Sequence, residues 1–163
     1  MKLLHLSDLH LGKKLDEFSL YEDQKYILQR IVQMICAKQP DCVLLAGDIY
    51  DKPVPPAEAV VLFDNFLNQL AELKVPVCII SGNHDSAERL AFGAQLMSGS
   101  GIHFAGSYNG EEQKLVFEDE FGRVNIFLLP FLKPAVVKHW APEEAAAEIT
   151  SYHDAVKYAV SHL

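Results

Sequence analysis

The chain has 163 residues, 50% of them apolar and 22% charged, with 14 basic against 22 acidic side chains and a net charge of −8. That length suits one domain with a core of its own; the composition excludes a disordered chain, and the charge excludes a general electrostatic trap for nucleic acid. No apolar run reaches the ~18 residues of a membrane span, and the short apolar start after Lys2 is too brief for a signal peptide.

Residues 2–6 read as a strand that ends at Ser7-Asp8. Residues 22–38 predict a helix, with Ile27, Ile31, Met34 and Ile35 on one face, Leu28 and Val32 widening it, and Pro40 stopping it. Cys42–Ala46 is a continuous apolar run closed by Gly47, the pattern of a strand buried on both faces of a parallel sheet. Pro55-Pro56 open a second helix over 57–73. A further buried strand spans 75–80, closed by Ser81-Gly82, and a third helix spans 87–97. Ile102–Ala105 is a strand, and 114–117 and 123–129 flank Glu118-Asp119-Glu120-Phe121-Gly122 as a hairpin. Residues 142–163 favour helix, with Ile149, Tyr152, Val156 and Val160 in one stripe. The sum is an α/β sheet protein with helices on both faces. Cys36, Cys42 and Cys78 form no CxxC and read as small buried hydrophobes of a reducing, cytoplasmic compartment.

The informative polar residues follow the first three buried strands. These run into Ser7-Asp8-Leu9-His10, Gly47-Asp48-Ile49-Tyr50-Asp51 and Gly82-Asn83-His84-Asp85. Each loop alone has an ordinary reading as a turn or a helix cap. All three at the carboxyl ends of parallel strands, where open α/β sheets build their sites, point to a metal centre. An extended backbone would aim Asp8 and His10 the same way. Carboxylate, imidazole and amide oxygen without thiolate favours Mn²⁺, Mg²⁺ or Fe over a structural Zn site. Asp48 is the candidate to bridge two ions about 3.5–4 Å apart. Asn83 takes a ligand place, His84 is a proton donor or phosphate contact, and Asp85 orients His84 or caps the helix that follows.

Asp8-x-His10, Gly47-Asp48-x-x-Asp51 and Gly82-Asn83-His84-Asp85 resemble the leading motifs of the calcineurin-like metallophosphoesterases. The longer runs from His5 to Gly12, from Ala46 to Lys52 and from Gly82 to Arg89, with Leu129-Pro130-Phe131-Leu132-Lys133-Pro134, are similar to the SbcD-type nuclease subunits of the Mre family. That resemblance implies an α/β metallophosphoesterase sandwich of mixed sheets flanked by helices. It implies a Mn²⁺-dependent DNA nuclease, a double-strand 3′–5′ exonuclease and single-strand endonuclease of repair, recombination and replication, working with an SbcC-type ATPase. By matching position, Asp8 and His10 would bind one ion, Asp48 both, and Asn83 the second. His84 would protonate the leaving group or stabilise the transition state, with Asp51 and Asp85 in support.

The family pattern also contains three further histidines, two of them in a Gly-His-x-His motif. The remaining histidines here, His5, His103, His139, His153 and His162, stand in no such setting. His5 and His103 are read as structural, the other three as solvent-facing. Residues 1–163 are therefore expected to be the N-terminal part of the nuclease domain, without its last metal-binding strands, capping region and ATPase-docking region, and to hold one ion or none. The apolar residues around the second and third helices predict a two-fold homodimer through Val60, Phe63 and Leu67 with Leu90 and Leu96. Two other readings remain open: a calcineurin-like phosphoesterase with another substrate, and a non-catalytic dimerisation fragment.

Overall fold

The computed structural model describes residues 1–111 and 113–163. Its centre is a parallel sheet of β1 (Leu3–Leu6), β4 (Cys42–Ala46), β5 (Val77–Ile80) and β6 (Ile102–Ala105), in that order. Between β1 and β4 lie a small ladder, β2 (Lys14–Leu15) with β3 (Phe18–Ser19), and helix α1 (Tyr21–Lys38). Helix α2 (Ala57–Glu72) joins β4 to β5, and two short helices, α3 (Ala87–Leu90) and α4 (Ala94–Ser98), join β5 to β6. The antiparallel hairpin β7 (Lys114–Asp119) and β8 (Gly122–Phe127) follows, then α5 (Pro134–Trp140), α6 (Glu143–Glu148) and α7 (Tyr152–Val160).

The strand order runs one way across the sheet. Right-handed crossovers that all step in the same direction place their helices on the same face. Val43, Leu45, Val77, Ile79 and Ile102 accordingly pack with Leu28, Ile31 and Ile35 of α1 and Phe63, Phe66 and Leu70 of α2. The alternate residues Cys42, Cys78 and Ala105 face the other way and meet Leu115, Phe117, Ile126 and Leu128. The second layer over the sheet is thus the β7–β8 hairpin, where helices were expected. The C-terminal helices form a satellite core of Leu132, Val137, Ile149, Ala155 and Ala159.

Several expectations are corrected in detail. The buried stripe of α1 is Gln24, Leu28, Ile31 and Ile35, whereas Ile27 and Met34 are half exposed. A polar residue begins that stripe, so a purely apolar reading centres it one position away. The helix expected over 87–97 breaks in two at Gly93, which takes φ +75°. Helix α5 begins well before the helical stretch expected from residue 142; Pro134 supplies its first turn. The stretch 142–163 divides at Ser151, which caps α7 in a reciprocal box with Asp154. Hydrogen bonds from Ser151 and Thr150 pull the Asp154 carboxyl down to about 2. Helix α7 buries Ala155 and Ala159, not Tyr152, Val156 and Val160. Phe63, Leu67 and Leu90, expected at a dimer interface, belong to the main core, where α2 packs on the sheet beside α1 and Leu90 of α3 joins the same cluster; Val60 and Leu96 are exposed. Cys42 and Cys78 are buried with sulfurs 3.7 Å apart, while Cys36 is exposed. Among the described residues no helix is long and apolar enough to cross a membrane.

Phe66 fills the space between α2 and the sheet and is among the most buried side chains. Phe66→Ala is expected to lower unfolding free energy by about 3–5 kcal/mol, read from the urea midpoint at unchanged slope.

Candidate metal centre

The strand register ends β1, β4 and β5 side by side: Leu6 pairs with Leu45, and Ala46 with Ile80. The three loops therefore leave the same edge of the sheet together. Backbone bonds extend the first pairing beyond the strands, from Asp8 N–H to Gly47 O (3.1 Å), His10 N–H to Asp48 O (2.9 Å) and Leu11 N–H to Ile49 O (2.8 Å). Asp8, His10 and Asp48 sit in the left-handed region, at φ 56°, 43° and 50°. The extended backbone expected at Asp8 and His10 is not what forms. Such conformations cost on the order of 1 kcal/mol or more each and need their surroundings to hold them.

Two buried polar side chains supply that hold. Gln24 reaches from α1 to donate to His10 O (2.7 Å) and Leu9 O (3.3 Å) and to accept from Gly12 N–H (3.0 Å). Asp85 accepts from the backbone N–H groups of Tyr50 (2.9 Å), Ile49 (3.1 Å) and Gly82 (2.9 Å), tying the second loop to the third. The expectation that Asp85 orients His84 or caps α3 is corrected: its carboxylate binds backbone amides, and the N-cap of α3 is Ser86. The glycines let the loops close up. A Cβ on Gly82 would overlap the Asp48 backbone nitrogen and carboxylate, and one on Gly47 would meet the Gly82 Cα.

On this frame, ligand-type atoms of His10, Asp48 and His84 lie within 4.8 Å of one another. Asp48 Oδ1 accepts the His84 backbone N–H (2.9 Å), and the His10 and His84 rings meet edge to face, centroids 4.9 Å apart. His84 Nδ1 lies 3.0 Å from the Asp51 carbonyl oxygen. A carbonyl only accepts, so Nδ1 carries the proton and Nε2 is left for a cation or a substrate. Asp51 also places Oδ1 3.6 Å from His10 Nδ1 and 3.9 Å from Lys13 Nζ. Asp8 stands outside the tightest trio, exposed, with Oδ1 3.7 Å from His10 Nε2. Asn83 is exposed at the rim of the cleft that Asp8 and Asp48 also line. The sequence placed His84 apart from the ligands; here it stands with His10 and Asp48.

His10 Nδ1 is buried and has no hydrogen-bond partner among the described residues. An orphaned imidazole nitrogen beside three carboxylates, with no thiolate, fits a divalent cation of hard-to-borderline character. A family model of calcineurin-like phosphoesterases matches residues 1–155. The chain belongs to the calcineurin-like phosphoesterases. Members of this family typically bind divalent metals, and in this phosphoesterase His10, Asp48 and His84 form the possible site.

Sequence reasoning missed Gln24. Its only signal was a glutamine in phase with the buried face of α1. Of the remaining histidines, His5, His139, His153 and His162 are exposed, and His103 lies on β6, with its ring held below the usual histidine range by burial.

Gln24→Leu leaves Leu9 O, His10 O and Gly12 N–H unpaired. It is expected to weaken divalent-cation binding about tenfold in calorimetry. Asp85→Asn keeps the shape but presents an amide N–H₂ toward backbone N–H groups; denaturant unfolding should show a loss of about 2–3 kcal/mol.

Proposed function

We propose that this phosphoesterase hydrolyses phosphodiester bonds of DNA as a Mn²⁺-dependent nuclease subunit of SbcD type, partnered by an SbcC-type ATPase. The observation that carries the phosphodiester part is the convergence of His10, Asp48 and His84 at one edge of the sheet. The nuclease part rests on the resemblance of the three loop motifs and of 129–134 beyond the residues that the wider family shares.

In this reading His10 and Asp48 hold the cation, with Asp8 and Asn83 completing its surroundings as substrate enters. A bound divalent ion supplies polarisation of the phosphoryl oxygen and acidifies water. Water oxygen forms the new bond to phosphorus and gives up a proton to solvent, while the phosphorus–ester oxygen bond breaks and that oxygen departs with its bonding pair. His84 carries one proton on Nδ1, held by the Asp51 carbonyl; in its protonated form it gives the proton on Nε2 to the departing oxygen. Asp51 positions both histidines. The exposed Val60 and Leu96 are assigned to contact with a second copy of the chain.

The test is Mn²⁺ calorimetry joined to cleavage assays. Asp48→Ala should weaken Mn²⁺ binding by at least about 100-fold, beyond the loss typical of outer-sphere partners. Linear duplex DNA should be shortened in Mn²⁺ and a nitrophenyl monoester left intact. Monoester hydrolysis with intact DNA would favour another phosphoesterase. A dimer without Mn²⁺ binding or cleavage would favour the scaffold reading.

A further inference from the structure

A cleft of about 410 Å³ opens beside the cluster, a size that suits an organic ligand more than a lone phosphate. Its two sides differ in chemistry. One is polar, with Asp8, Asp48 and Asn83; the other is Leu129, Phe131 and Val156 with their neighbours. The apolar side offers no side-chain donor or acceptor to the hydroxyls of a sugar or a polyol.

Phe131 is one of the residues that form that side. It stands between buried Pro130 and Leu132, and its backbone N–H donates to Ser81 O (2.9 Å), at the start of the loop that carries Asn83 and His84. The residue is nevertheless 37% exposed. The Tyr152 ring backs it, centroids 5.6 Å apart and planes tilted by 38°. Tyr152 is the first residue of α7, steadied by the Ser151–Asp154 capping box. Aromatic pairs at such separations are attractive, and a ring already fixed in place loses little freedom when a ligand lands on it.

We infer that Phe131, backed by Tyr152, is a stacking subsite for a planar ring carried by the phosphoester whose phosphate lies at the His10, Asp48 and His84 cluster. The subsite takes nucleotides or aryl esters and does not choose among bases, since stacking needs a π-face and no edge contacts. This inference rests on the phosphoester reading of the cluster, and the experiment separates the two.

Inorganic phosphate, ribose 5-phosphate, thymidine and adenosine 5′-monophosphates and phenyl phosphate are titrated into the chain in Mn²⁺ and followed by calorimetry. The two nucleotides should bind about tenfold tighter than ribose 5-phosphate, and alike. Phe131→Leu, checked for an unchanged melting temperature, should bring them down to the ribose 5-phosphate value and leave inorganic phosphate unchanged. Phe131→Trp should keep the gain. A gain confined to phenyl phosphate retains the ring subsite and assigns it to aryl esters. Equal binding of ribose 5-phosphate and every ring-bearing ligand, or no effect of Phe131→Leu, overturns the subsite while the phosphoester reading stands. If inorganic phosphate fails to bind in Mn²⁺, the phosphoester reading falls and the subsite with it.

Discussion

Three backbone N–H groups converge on the carboxylate of Asp85, and the geometry at this edge of the sheet depends on them. Ile49 and Tyr50 belong to the loop after β4, Gly82 to the loop after β5. Without the acceptor, those donors would be buried and unsatisfied, and the two loops would have no reason to lie so close. With it, Gly47 and Gly82 come into contact, and only hydrogen on each α-carbon permits the approach. Asp48 is then set against the His84 backbone, and the left-handed turns at Asp8, His10 and Asp48 become affordable in free energy. Gln24 does for the first loop what Asp85 does for the other two.

The frame concentrates charge that the chain by itself leaves poorly balanced. Asp8, Asp48 and Asp51 gather around two imidazoles, with the Lys13 ammonium 3.9 Å from Asp51 at the edge. The His84 ring is fixed through Nδ1 to a carbonyl, so its other nitrogen faces the chemistry in one defined tautomer. The buried Nδ1 of His10, without a hydrogen bond among the described residues, completes a set of donors suited to a divalent ion. The same cleft is lined by Asp8, Asp48 and Asn83 and by the apolar Leu129, Phe131 and Val156.

Much of the layout was legible in the residues. The runs Cys42–Ala46 and Ile102–Ala105 become strands with the expected bounds, because a short apolar run closed by glycine or a polar turn has few other ways to bury itself. The family follows from the loop motifs, and the matched region covers residues 1–155. Less legible was which apolar residues stay inside. Phe63 and Leu67 looked like partner contacts because α2 is apolar over most of its surface, yet both turn into the core shared with the sheet and α1, while Val60 and Val61 stay exposed. Tyr152 and Val156 looked like core and instead lie outside, where Tyr152 backs Phe131 and Val156 lines the cleft.

By itself, the sequence determined the strand–helix alternation, the parallel sheet and the identity of the residues that stand at its carboxyl edge. Those features are local: hydrophobic period, glycine and proline placement, and the residues that follow each strand. Only the tertiary structure decided that the hairpin rather than a helix covers the second face, that His84 stands with His10 and Asp48, and that Gln24 and Asp85 hold the loops. Each of these depends on contacts between segments far apart in the chain, where a single hydrogen-bonding group can choose among arrangements that local patterning leaves equally open.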